Sequence, residues 1–202
     1  MKIGIIGISS LTLELAFRSA EAGCKVEIYN PKGNSLIREV TQKMGADIQL
    51  CSLEQAADME IVLLFIAKDD LERIIKALPD MSGKLIIHTS TLIFDPLSLL
   101  SGITNAMTYK ITAWLVPEAH VVKLFNPVNL KAKNSCMSCS NEDEIFFIAD
   151  HNDSRKQVRD FLKKINFSPI DLSGRLHLRN TAFNLKSIVN PIKINPFKNN
   201  LN

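Results

Sequence analysis

Lys2-Ile3-Gly4-Ile5-Ile6-Gly7-Ile8-Ser9-Ser10-Leu11-Thr12-Leu13-Glu14-Leu15-Ala16 opens the chain, and its reading decides the architecture. A short β-branched run ends at Gly7, after which Leu11, Leu15, Phe17 and Ala20 recur at helical spacing. Strand, glycine turn and helix in that order begin a dinucleotide-binding βαβ unit, in which a pyrophosphate rests on the unpaired amides of the helix N-terminus. A Gly-x-Gly-x-x-Gly fingerprint begun at Gly7 would put glycines where this chain has Ser9 and Thr12, so only the first is kept. Two readings stay open. In one, the amides and hydroxyls of Ser9 and Ser10, with Ile8 and Leu11 in the same turn, bind phosphate in place of bare backbone. In the other, Ser9 crowds the phosphate and Thr12 loosens the helix, leaving a Rossmann-type unit without tight cofactor binding.

Outward from this stretch, strands and helices alternate. The first helix is expected to stop near Ala22-Gly23, a second strand to run from Lys25 to Asn30, and Pro31-Lys32-Gly33-Asn34 to turn. A helix from about Ser35 to Met44, a strand from Asp47 to Leu50 and a brief helix capped by Ser52 follow. The uninterrupted apolar run from Ile61 suits a central parallel strand covered on both faces. Asp69 and Asp70 open the next helix at its positive end. Lys84 to His88 is a fifth strand, Asn105 to Leu115 a helix, His120 to Phe125 and Ile145 to Ala149 strands. Asp153 is expected to cap an amphipathic helix through Lys164, and Phe167 to Ile170 closes the sheet. The expectation is an α/β fold: a Rossmann-type doubly wound, mostly parallel sheet with helices on both faces, one domain over residues 1–180. Residues 181–202, with Pro191, Pro196 and repeated Asn, read as a partly irregular tail.

Composition permits this. The chain has 202 residues, 46% of them hydrophobic, enough for a sizeable core, and a net charge of +3 is too small to argue for nucleic acid. The apolar run from Ile61 to Ala67 is far shorter than the roughly 20 residues that span a bilayer. Glu14, Arg18 and Glu21 suit the solvated face of a helix rather than a signal peptide. No membrane and a cytoplasmic location are expected, with Cys24, Cys51, Cys136 and Cys139 as reduced thiols. Cys136 and Cys139 lack the second ligand pair of a zinc site, and no two of the four histidines have helical ligand spacing, so no metal is expected.

Cofactor choice is read at the end of the second strand, where a carboxylate would bind the ribose hydroxyls of NAD. Asn30 stands there with Lys32 beyond it, a neutral amide and a cation that accommodate the extra phosphate of NADP; the same residues are also ordinary turn residues. The nicotinamide end would be lined at the strand ends by Ile66, Ala67, Thr89, Ser90 and Asn126. Hydride transfer between two cofactor rings needs no protein nucleophile, which agrees with the lack of any triad or carboxylate pair, and no catalytic side chain is assigned.

Three later segments carry a resemblance. Ala119-His120-Val121-Val122-Lys123-Leu124-Phe125-Asn126 is similar to the Val-Val-Lys-Ala-Phe-Asn strand of the NADP oxidoreductases that depend on the deazaflavin coenzyme, compact proteins related to the oxidoreductase domain of the STEAP metalloreductases. Phe147 to Asp153 resembles that family's Ala-Gly-Asp-Asp segment, and Phe167 through Arg179 its closing Gly-Phe-x-Pro-x-Asp-x-Gly-x-Leu-x-x-Ala-Arg motif. The resemblance implies a Rossmann fold, NADP as cofactor, a flavin or deazaflavin-type molecule as co-substrate, and Arg179 as a substrate-side residue. The partners implied are a dinucleotide and a small-molecule hydride acceptor, with homodimerisation left open. The competing reading is a catalytically silent Rossmann module with weak nucleotide binding or a protein-interaction role.

Overall fold

The computed structural model describes residues 1–89, 110–125 and 143–173. In chain order these form β1 (Lys2–Ile6), α1 (Ser10–Glu21), β2 (Lys25–Tyr29), a 3-10 turn (Asn34–Ile37) running into α2 (Arg38–Lys43), β3 (Ile48–Leu50), α3 (Leu53–Ala57), β4 (Ile61–Leu64), α4 (Lys68–Lys76) and β5 (Leu85–His88). Helical residues 110–115 (α5), β6 (His120–Leu124), β7 (Asp143–Ala149), α6 (Asn152–Lys164) and β8 (Phe167–Asp171) follow. The strands make one sheet in the order β3-β2-β1-β4-β5-β6-β7-β8. All pairings are parallel except β6 with β7. This is the α/β, doubly wound, mostly parallel fold expected.

The core is two layers separated by the sheet, and strand alternation assigns each residue to a layer. Ile5, Leu63, Ile87 and Val122 join Leu11, Leu15 and Ala16 of α1 and Val158, Phe161 and Leu162 of α6. Their chain neighbours Ile6, Leu64, Ile86 and Val121 join Ala56 of α3 and Leu71, Ile74 and Ile75 of α4. Because both faces of β4 are covered, Ile61–Leu64 is buried at every position, the reason its sequence is continuously apolar. Gly4 permits a close packing that sequence periodicity does not show. A Cβ there would lie 1.8 Å from the Ala56 carbonyl oxygen, so α3 approaches β1 backbone to backbone.

Three expectations are corrected. Arg18, read as part of a solvated face, is only 8% exposed. Its guanidinium bonds Glu14 at 2.6 Å, the Asn166 carbonyl at 3.1 Å and Asp143, and lies 4.1 Å from the Phe167 ring centroid. Burial lowers its pKa, and the bonds to Asp143 and Glu14 more than offset this. Asp153 does not cap α6: the N-cap is His151, without a side-chain cap bond, and Asp153 falls in the first turn, where its charge still suits the helix dipole. The helix expected from Ser35 begins instead as a 3-10 turn and becomes α-helical only at Arg38. The expected helix before residue 110 and the tail from 181 lie outside the described residues.

Candidate functional site

Register fixes the carboxyl edge of the sheet. Tyr29, Ile6, Leu64, His88 and Lys123 pair in one row across β2, β1, β4, β5 and β6. The ladder continues one step beyond it, with Gly7 N–H donating to Tyr29 O at 2.9 Å, Phe65 N–H to Ile6 O at 2.8 Å and Thr89 N–H to Leu64 O at 2.8 Å. The structure thus brings Gly7, Ile8, Ser9, Ser10, Asn30, Ile66, Ala67 and Thr89 to one edge, where ligands of open α/β sheets bind. Ser90, Asn126 and Arg179, with Cys136 and Cys139, lie outside the described residues.

Gly7 is fixed by the fold itself. Its φ is +91°, and a Cβ would lie 1.6 Å from the Phe65 carbonyl oxygen. The missing glycines are replaced by a capping box. Ser9 Oγ accepts from Thr12 N–H at 3.1 Å and Thr12 Oγ1 accepts from Ser9 N–H at 2.7 Å. The Thr12 hydroxyl also lies 3.1 Å from Ser9 O and 3.4 Å from Gly7 O, with Thr12 fully buried. Threonine therefore ties the turn to the helix rather than loosening it. Of the first-turn amides, that of Thr12 is taken by Ser9 and that of Leu13 donates to Ser9 O, which leaves those of Ser10 and Leu11 as the amides with no partner in the helix. No acidic residue stands in this turn.

Asn30 is 7% exposed and engaged within its own turn. Its Nδ2 donates to Gly33 O at 3.0 Å and its Oδ1 accepts from Lys32 N–H at 3.2 Å, while Asn34 Oδ1 accepts from Asn30 N–H at 2.8 Å. The Lys32 side chain is exposed beyond it. Ala67 is the extended N-cap of α4, whose first turn carries Asp69 and Asp70, so that helix end is ill suited to phosphate. Thr89 is buried, its hydroxyl 3.3 Å from Leu64 O.

Sequence reasoning missed two ionisable residues in the row beneath this edge. His88 is 3% exposed and shares a 3.1 Å hydrogen bond between Nδ1 and Thr112 Oγ1. Burial, then the neighbouring Lys123 charge, pulls its pKa to about 3, so the imidazole is neutral. Lys123 has no solvent exposure and its Nζ has no hydrogen-bond partner among the described residues; burial pulls its pKa to about 7. Lysine inside the apolar run Val121 to Phe125 was the available signal. Cys51 is no reactive thiol: burial, then Glu27, pushes its pKa up to about 12. Among the described residues no cluster of three or more His, Cys, Asp or Glu could hold a metal, and no helix is long and apolar enough to cross a membrane.

The fold and this edge define a Rossmann-type α/β domain. Over residues 2–91 the chain matches the family described as NADP oxidoreductase, coenzyme F420-dependent, which shows the resemblance that the later motifs suggested, although the match falls on the opening half. The chain is similar in structure to a hypothetical protein of Sinorhizobium meliloti, with 27% identity, TM-score 0.68 and 85% of each chain covered. It is also similar to a candidate F420-dependent NADP-reductase of Arthrobacter sp. FB24, at 18% identity and TM-score 0.65, covering 85% of this chain and 84% of that one. Synechocystis arogenate dehydrogenase shares the fold at 13% identity and TM-score 0.56, with 85% of this chain covering 59% of the dehydrogenase. No curated protein sequence matches.

Proposed function

We propose that this protein is an NADP-binding oxidoreductase passing hydride between NADPH and a flavin or deazaflavin-type acceptor. The observation that carries the reading is the turn from β1 to α1. It presents the Ser10 and Leu11 amides at the carboxyl edge, beside the point where the sheet order reverses between β1 and β4, with no carboxylate at the end of β2. The donor set fits a pyrophosphate on Ile8 to Leu11 and a ribose phosphate near Lys32, with Asn30 holding the turn that carries that lysine. Ile66, Ala67, Thr89, Ser90 and Asn126 are the proposed lining of the nicotinamide end, and Arg179 a contact for the acceptor. The bound cofactors supply the redox chemistry; the protein binds, orients and excludes water.

A thermal-shift titration tests this. NADPH at about 100 times its Kd should stabilise the fold by roughly 2.7 kcal/mol, and NADH at equal concentration by less. The capping box favours a second reading, since the Ser9 hydroxyl occupies an amide that a glycine would leave free. No shift with either nucleotide at millimolar concentration would select that reading, a catalytically silent module.

A further inference from the structure

Lys123 follows from no requirement of the fold. Its neighbours Val122 and Leu124 pack into the layer of α1 and α6, while Val121 and Phe125 pack into the other, so its side chain enters the layer of α3 and α4. Ile66, at the edge, packs into that layer too, and Thr89 directly follows Lys123's row partner His88. Buried polar atoms in proteins are generally paired, and a partnerless one calls for an explanation. Among the described residues the Ser19 and Ser154 hydroxyls and the Lys123 amine lack a partner, and of these only the lysine can carry a charge. Nothing nearby among the described residues supplies that amine with a partner. His88 is engaged with Thr112, and the Phe125 ring centroid is 5.9 Å away, near the outer limit of a cation–π contact.

We propose that the Lys123 amine donates a hydrogen bond to a conjugated carbonyl oxygen of a ligand seated at the carboxyl end of β5 and β6. The ligand's identity rests on the function proposed above: the oxygen belongs to the nicotinamide carboxamide or to a ring carbonyl of the acceptor. A carbonyl is favoured over a phosphate because Asp69 and Asp70 open α4 on the same layer. The other ionisable groups on surrounding elements include neutral His88 on β5, exposed Lys110 on α5, and on α4 Arg73 paired with Asp70 and Lys76 paired with Glu72 at the surface, while the register partner on β7 is apolar Ile148. An amine that loses its proton readily in this environment can serve as a donor in either charge state.

The test uses lysine labelled with 13C at Cε, with the Lys123 resonance assigned by its loss in Lys123→Met, a substitution of similar length without the amine. NADP+ and riboflavin are added separately, and the melting temperature is followed alongside. The resonance should move with one of them, and Lys123→Met should weaken that ligand roughly tenfold to a hundredfold, the effect of losing a hydrogen bond to a charged group, while leaving the shift with the other ligand unchanged. If NADP+ raises the melting temperature but the Lys123 resonance stays fixed with both ligands, this assignment is overturned and the nucleotide reading stands. If neither ligand binds, both fall. Should Lys123→Met fold poorly, Lys123→Arg, which keeps a cation but lacks the labelled lysine, supplies the assignment, and the wild-type resonance then decides.

Discussion

Gly7 shows how much one position can be asked to do. Its positive φ and the Phe65 carbonyl oxygen at 1.6 Å from any added Cβ mean that Gly7→Ala must displace the end of β4. Strained backbone and a main-chain clash together are expected to cost on the order of 3 kcal/mol or more, read as a lower urea midpoint, whether or not nucleotide is present. Ser9 is the converse case, a residue whose role is local. Ser9→Gly removes the bond to the Thr12 amide at a cost of a few tenths of a kcal/mol, as cap glycines do, and frees that amide for a phosphate. Dinucleotide binding should tighten. Weaker binding by fluorescence titration would make the serine hydroxyl a phosphate ligand.

The pair His88 and Lys123 gives the protein a pH signature. Lys123 falls from its ordinary value of 10.5 to about 7 on folding, so between those values the unfolded chain holds the extra proton. His88 falls from 6.5 to about 3, giving a second such window below the first. Where the unfolded state binds more protons, stability rises with pH. The fold should therefore lose stability as the pH drops from about 10 to 7, and again from about 6.5 to 3. Lys123→Met should flatten the upper window and leave the lower one sloping, measured as the urea midpoint against pH.

Among elements, α1 is held at both ends by different means. Its start is closed by the reciprocal bonds of Ser9 and Thr12, and near its end Arg18 reaches Asp143 of β7 and the carbonyl of Asn166 before β8. Arg18→Met would leave Asp143, whose side chain is 9% exposed, without its cation. Breaking such a buried pair costs about 3–5 kcal/mol, whereas Arg18→Met combined with Asp143→Leu should recover most of the loss, because both charges then go. Chemical denaturation of the single and double variants measures this.

The same elements show what the sequence could tell. Strands came through because their burial is written in local periodicity: β2, β4, β5 and β6 lie within the segments expected for them. Ser52 was legible as a cap because its capping box with Gln55 lies within three residues. Arg18 was not legible, since its partner Asp143 is 125 residues away. Gly4 needed knowledge of where α3 would land, and Lys123 was absorbed into the apolar strand around it. Gly7 and Asn30 stand at the carboxyl edge because the ends of β1 and β2 are legible in the sequence, but the use Asn30 makes of both ends of its amide depends on the turn closing around it.

At the scale of the whole molecule, the antiparallel pairing of β6 with β7 separates a parallel half carrying the candidate site from a closing unit of β7, α6 and β8. Arg18 is a polar tie between the two halves, so its loss should weaken them together and leave unfolding a single transition.

The outermost strands have a further consequence. β3 is three residues long, and β8, the other border among the described residues, contains Pro169, which has no amide to offer. A long, regular border would recruit a second chain by continuing the hydrogen-bond ladder, the route by which sheets polymerise. Here both borders are poor templates for that growth. Among the described residues, a self-associated form would accordingly be built from helix faces or loops rather than by continuing the sheet.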